Sequence, residues 1–175
     1  MIDLSGKTIA VLLDQYYDER EFLYPAIRLQ EAGAEVIVAG TKADTEYKGK
    51  TGYASKSQVA YKDLNADKLD GIVIPGGYAP DHMRRSPECV QLVRRLHEQK
   101  KMIAYICHAG WLPISAGILK GSKATSVWAI KDDMVNAGVI WEDAPVVIDG
   151  HLISARHADN VAEFMKAVVK YLAEH

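Results

Sequence analysis

Cys107 and His108 are the residues of this chain best suited to covalent chemistry. They directly follow an apolar run, Lys101–Ile106 (KMIAYI), and precede a stretch with helical character. A thiol at a strand-to-helix junction has the geometry of a nucleophile elbow, although the local sequence is not G-x-S-x-G. A helix starting at His108 or Ala109 would turn its positive end toward the sulfur. Cys107 is therefore expected to titrate below an ordinary thiol, whose pKa is about 8.5. Cysteine is also a common inert core residue, and the junction is what argues for reactivity here. His108 could act as a general base, lend only its backbone N–H, or cap a helix; adjacency to Cys107 does not decide among these.

Two other segments carry candidate groups. Gly76-Gly77 closes the apolar run Asp70–Ile74 and allows close approach of backbone to a ligand. The amides of Gly77 and His108 could form an oxyanion hole, or the glycines could simply end a strand. Asp18 and Asp81 are acids at expected strand ends, able to hydrogen-bond a sulfur, to orient His108, or merely to cap a helix or turn. Asp18 is expected within hydrogen-bond reach of the Cys107 sulfur, directly or through one water. Cys89 falls inside an expected helix and reads as a passive thiol. The six histidines show no H-x-x-x-H pattern and the two cysteines no C-x-x-C, so neither a structural zinc site nor any other metal is expected. No G-x-x-G or P-loop lysine follows Gly76-Gly77, which argues against nucleotide binding, and no cofactor is expected.

The elements that must position these groups alternate along the chain. Lys7–Leu13, Glu35–Ala39, Asp70–Ile74 and Lys101–Ile106 read as strands. Asp18–Ala32 repeats Phe22, Ala26 and Leu29 on one helical face and stops at Gly33. Ser86-Pro87-Glu88 opens a helix running to about Gln99, with Ser as N-cap and Pro in the first turn. Further helices are expected from His108 or Ala109 to Gly117, over Ile130–Ala137, and at the C-terminus, where Val161, Phe164, Met165, Val168, Val169 and Leu172 share one face. Pro145–Ile148 and Leu152–Ala155 should form a hairpin through Asp149-Gly150. Residues 41–68 read as short strands and turns. This alternation predicts one α/β domain over residues 1–175, with a mostly parallel sheet covered on both faces and Lys7–Leu13, Asp70–Ile74 and Lys101–Ile106 at its centre. Ligands of such sheets bind at the carboxyl ends of the strands, where the segments 14–18, 75–81 and 107–111 should converge.

Bulk properties set limits. A chain of 175 residues with 49% hydrophobic and 25% charged residues can bury one sizeable core. A net charge of −2 gives no basic surplus for nucleic acid or anionic lipid. No stretch approaches the roughly 18 apolar residues of a membrane span, and the short run Thr8–Leu13 is no signal segment. A cytoplasmic protein with two reduced thiols is expected.

Four motifs in order carry a resemblance. AYICHAGWLPISAGILKG (Ala104–Gly121), IPGGYAPD (Ile74–Asp81), IKDDMVNAG (Ile130–Gly138) and Ser154-Ala155-Arg156-His157 resemble the PfpI-like branch of the ThiJ/PfpI family, over nearly the whole chain. The resemblance implies a flavodoxin-like three-layer sandwich related to class I glutamine amidotransferase domains. It implies a nucleophile at Cys107, His108 beside it, oxyanion amides at Gly77 and His108, and a homo-oligomer in which Asp81 completes a Cys-His-acid triad across a subunit boundary. The family's sulfur-bonding acid, usually Glu, is placed on Asp18, so both acid positions would carry Asp. Tyr78, Trp111 and Trp128 would crowd the mouth of the site. The implied activity is a cysteine hydrolase or lyase acting on peptides, on glyoxal-type dicarbonyls and their adducts, or on isonitriles. The alternative is a non-catalytic stress-response protein whose Cys107 senses oxidants by forming a sulfinate.

Overall fold

The computed structural model describes residues 2–175. Eleven strands and six α-helices are formed, in chain order β1 (Thr8–Leu12), α1 (Glu19–Glu31), β2 (Glu35–Gly40), β3 (Glu46–Lys48), β4 (Ala54–Lys56), β5 (Val59–Ala60), β6 (Gly71–Ile74), α2 (Ala79–Met83), α3 (Pro87–Glu98), β7 (Met102–Ile106), α4 (Trp111–Ala116), β8 (Lys123–Ala124), α5 (Lys131–Asn136), β9 (Ile140–Trp141), β10 (Val146–Asp149), β11 (Leu152–Ala155) and α6 (Val161–Glu174). Seven strands make one sheet in the order β10-β11-β7-β6-β1-β2-β5. Every pairing in it is parallel except β10 with β11. The fold is thus the flavodoxin-like sandwich with a mostly parallel sheet.

The strands expected at the centre are there: β7, β6 and β1 lie side by side. Their residues are almost wholly buried because helices cover both faces, which is why they read as unbroken apolar runs rather than alternating ones. Helices α1 and α6 pack on one another over one face, and α3 packs on α4 over the other. Helix α3 starts as its sequence predicts: Ser86 Oγ accepts the Cys89 N–H at 3.3 Å and Pro87 occupies the first turn.

Four local features depart from the expected layout. The helix after Cys107 is broken into a 3-10 turn over Cys107–Gly110 and then the six-residue α4, which ends at Gly117 in the left-handed region (φ 71°). A short helix, α2, follows Gly77-Tyr78, and β8 pairs with β9 as a separate parallel ladder. The C-terminal hairpin turns through Gly150-His151, since Asp149 and Leu152 still face each other. The chain reverses direction across the sheet between β1, which leads to β2 toward one edge, and β6, which leads to β7 toward the other. The carboxyl ends of β1, β6 and β7 meet at this switch point.

Candidate active site

Cys107 takes the first position after β7 with φ 64°, in the left-handed region that residues with a Cβ rarely adopt. That backbone turns the side chain out of the strand direction, as a nucleophile elbow requires. The Cys107 carbonyl accepts the Val127 N–H at 3.4 Å, tying the turn to the segment before α5. Gly110 follows three residues on, where an added Cβ would lie 2.7 Å from Met134 Sδ; a side chain there would push the turn off α5.

Opposite the sulfur, Gly76 and Gly77 close β6. A Cβ built on Gly76 would lie 2.5 Å from Glu21 Oε2 and 2.9 Å from Cys107 Cβ. One hydrogen therefore stands where a methyl would separate acid from thiol. Gly77 has φ 70°, and a Cβ there would overlap the Tyr16 carbonyl. Tyr78 N–H donates to Tyr16 O at 2.8 Å and Asp18 N–H to Gly76 O at 3.4 Å, so residues 16–18 lie alongside 76–78 like a short antiparallel pair. Gly77 N–H has no partner among the described residues and remains open to an oxyanion.

The acid at the sulfur is Glu21, and this corrects the expectation for Asp18. Glu21 is buried; its Oε2 accepts the Gly76 N–H at 2.7 Å, and its carboxyl stands beside Cys107 across the gap that Gly76 leaves open. Its Oε1 has no well-formed hydrogen bond of its own. Asp18 instead caps α1: Oδ1 accepts the Arg20 N–H at 3.1 Å and Oδ2 lies 3.4 Å from Lys50 Nζ. A signal existed. Glu21 stands in line with Pro25 and Leu29 on the buried stripe of α1, where an acid demands a partner. Asp18-x-x-Glu21 also has the form of a capping box, in which Glu21 would reach back to the Asp18 N–H. Here both groups turn to Gly76 instead.

Charge in the site follows from burial. Burial, reinforced by the Asp18 charge, pushes the Glu21 carboxyl up to about 8, so it is protonated at neutral pH and can donate to the sulfur. Burial also pushes the Cys107 thiol up, and an ionised Glu21 would push it further; the His108 N–H pulls the other way. Burial thus works against the low thiol pKa expected from the helix dipole. Cys107 is only 8% exposed, and the helix meant to favour its thiolate starts as a 3-10 turn. His108 Nδ1 lies 3.3 Å from the sulfur. Burial, with Lys50 and then His157, holds the imidazole below its ordinary value and so neutral. In the Nε2–H tautomer, Nδ1 can accept the thiol proton, which makes a Cys-His pair of neutral partners rather than a standing thiolate.

The other candidates separate. Tyr78 stacks on His108 with ring centres 6.4 Å apart, and Trp111 tilts against it at 5.3 Å. Both border a groove of about 420 Å³ with Tyr16, Asp81 and His82. Trp128 does not join them: it packs edge-on to Trp141 at 5.4 Å, with Lys131 Nζ 4.3 Å above its ring. Asp81 lies on α2, half exposed, and pairs with Arg85 at 3.3 Å; among the described residues no carboxylate hydrogen-bonds His108. Cys89 is fully buried in α3, and burial pushes its thiol far up. Among the described residues no group of three or more His, Cys, Asp or Glu is arranged to hold a metal ion, and no helix is long and apolar enough to cross a membrane.

Comparison with known proteins shows which family has this fold. The model of the DJ-1/PfpI family matches residues 7–171. Deglycase PfpI of Pyrococcus furiosus is 40% identical over 156 residues, 89% of this chain and 93% of that protein. Protein/nucleic acid deglycase 2 of Escherichia coli is 33% identical over 169 residues, covering 95% and 98% of the two chains. The crystal structure of Drosophila melanogaster DJ-1beta superposes with a TM-score of 0.90 at 29% identity, over 97% of this chain and 91% of that one.

Proposed function

Because the chain belongs to the DJ-1/PfpI family, in which relatives along its full length are named deglycases, we propose that it is a cysteine-dependent hydrolase of small carbonyl adducts, with Cys107 as nucleophile. The observation that carries this reading is the left-handed Cys107, held between a protonated acid and a neutral base. In the first step the sulfur adds to the carbonyl carbon and the thiol proton passes to His108 Nδ1. The carbonyl oxygen becomes an oxyanion facing the unpartnered Gly77 N–H, while Glu21 keeps its proton and donates to the sulfur. His108 then gives the proton to the amine or thiol on the neighbouring carbinol carbon, which departs as that carbon becomes an aldehyde. Water adds to the aldehyde, its C–H hydrogen moves with the bonding pair to the sulfur-bearing carbon as the C–S bond breaks, and a 2-hydroxy acid and the free Cys107 thiol are released. Cys107 is only 8% exposed and its neighbour His108 is flanked by Tyr78 and Trp111, which suits a small molecule better than a peptide chain.

The test is release of amine and thiol from methylglyoxal adducts of amino acids and N-acetylcysteine, with a short peptide and an isonitrile run in parallel. Wild-type protein should release adducts and Cys107→Ala should not. Release by wild type no faster than in buffer alone, or undiminished release by Cys107→Ala, would sink the reading. The active form is a homo-oligomer in this reading. Asp81 is exposed beside the groove and paired only with Arg85, just past the end of its own helix, so it is available to a neighbouring copy. A monomer by light scattering at micromolar concentration would contradict that part.

A further inference from the structure

Residues 48–53 form the turn of the β3–β4 hairpin, and they are fastened to the site along its whole length. Tyr16 N–H donates to Lys48 O at 2.7 Å and Lys50 N–H to Tyr17 O at 3.0 Å. Residues 48–50, 16–18 and 76–78 therefore lie edge to edge, forming a ledge that ends beside Cys107. Thr51 donates both its N–H and its hydroxyl to Glu19 Oε1, each at 2.7 Å, and Tyr17 OH donates to Tyr53 O at 2.9 Å. Gly49 packs so closely on Glu19 that a Cβ would overlap its carboxylate. A surface turn fixed at so many points holds what it carries in one place.

What it carries toward the site is Lys50. Asp18 Oδ2 takes one of its ammonium donors at 3.4 Å; among the described residues the other two have no protein partner, and the side chain is 44% exposed. Asp18 is itself shared with Arg20 at 3.5 Å, so it does not cancel the Lys50 charge alone. Asp18, which holds the ammonium, donates its N–H to Gly76 O at 3.4 Å, and Gly76 packs against Cys107 Cβ, so Lys50 stands on the rim of the same site. A fixed, half-exposed cation with free donors is suited to a carboxylate or similar anion.

We infer that Lys50, delivered by the β3–β4 turn and steadied by Asp18, is an anion subsite that selects carbonyl substrates bearing a negative group beside the reactive carbon. This deepens the proposed function and rests on its assignment of Cys107 as nucleophile. Free amino-acid adducts and 2-oxo acids fit the class; neutral dicarbonyls lack the second contact.

Iodoacetate and iodoacetamide alkylate the same sulfur and differ in carrying or lacking a carboxylate, so the ratio of their rates at Cys107 reads the subsite directly. Effects on thiol ionisation or access act on both reagents and cancel. In Lys50→Met the iodoacetate-to-iodoacetamide ratio, read by mass spectrometry of the Cys107 peptide, should fall about threefold to tenfold from wild type. Lys50→Arg should keep it within about twofold, and about 0.5 M NaCl should shrink the wild-type ratio. An unchanged ratio in Lys50→Met overturns the inference while leaving the nucleophile in place. If neither reagent modifies Cys107 in wild type, the proposed function itself fails and the subsite falls with it.

Discussion

Cys89 and Cys107 are both free and both buried, yet they occupy opposite kinds of place. Cys89 lies in α3 with ordinary helical backbone and no exposure. Cys107 stands in left-handed backbone at the end of the central strand, with a carboxyl, an imidazole and two glycines drawn around it. Burial raises both thiols, so burial does not separate them. The difference is the presence of groups that can move a proton. A thiol in an apolar helix has nowhere to send its proton, whereas Cys107 has His108 Nδ1 at 3.3 Å.

The largest effect that can break this contrast is on activity. Cys107→Ser should lower turnover of any carbonyl adduct by at least about a thousandfold, while Cys89→Ala should leave turnover within about twofold. The roles reverse for stability: Cys89→Ala should cost about 1–2 kcal/mol in denaturant unfolding, through the small cavity it leaves in α3. Comparable activity losses at the two cysteines would erase the distinction.

A second effect concerns the gap between acid and thiol. Gly76→Ala places a methyl 2.5 Å from Glu21 Oε2 and 2.9 Å from Cys107 Cβ. Overpacking of this kind costs about 1–3 kcal/mol. Activity should fall more than stability, because the acid must move off the sulfur to make room. A Gly76→Ala protein with wild-type turnover would show that the close approach of Glu21 has no part in the reaction.

Much of this was legible in the chain, and the exceptions have physical causes. The central strands could be read because buried parallel strands need unbroken apolar runs, and ordered alternation with helices leaves little choice of topology. Cys107 could be read because its junction is local. Glu21 was missed because both Asp18 and Glu21 start α1, and only the third dimension decides which faces β7. The N-cap turns its side chain back to the helix amides, whereas three residues later the side chain points along the buried stripe. The dipole argument for a low thiol pKa weakens for a related reason: it needs a helix, and a 3-10 turn followed by six residues supplies little of one. Trp128 could not be placed because its partner, Trp141, comes from a ladder that its two short strands barely announce.

The third test uses acidity. Glu21 is raised from the ordinary carboxylate range to about 8, so the folded state holds its proton more tightly than the unfolded chain does. Its contribution is fully present below the unfolded pKa, near 4.5, and is lost as pH rises through about 8. Wild-type protein should therefore lose on the order of a few kcal/mol of stability between those limits. Glu21→Gln, which keeps a neutral donor and removes the titration, should flatten that slope in chemical unfolding measured from pH 5 to 9. The same slope in both proteins would mean that Glu21 ionises freely in the fold.

The smallest expected effect separates the two acids of α1. Asp18→Asn retains the cap, because Asn accepts the helix amide about as well as Asp, so stability should change by less than about 0.5 kcal/mol. Its ion pairs with Arg20 and Lys50 are partly exposed and contribute little by themselves. The substitution also removes a negative charge that helps keep Glu21 protonated, so the Glu21 titration should move toward lower pH. The pH–rate profile for adduct release should then lose its upper limb at lower pH than wild type, with the maximum rate reduced no more than about threefold. Glu21→Gln should show no such limb at all. Had Asp18 been the group on the sulfur, its loss would instead depress the maximum rate severely and leave the titration of Glu21 where it was. A steep fall in rate with an unmoved profile would return that role to Asp18 and reduce Glu21 to a buried support for Gly76.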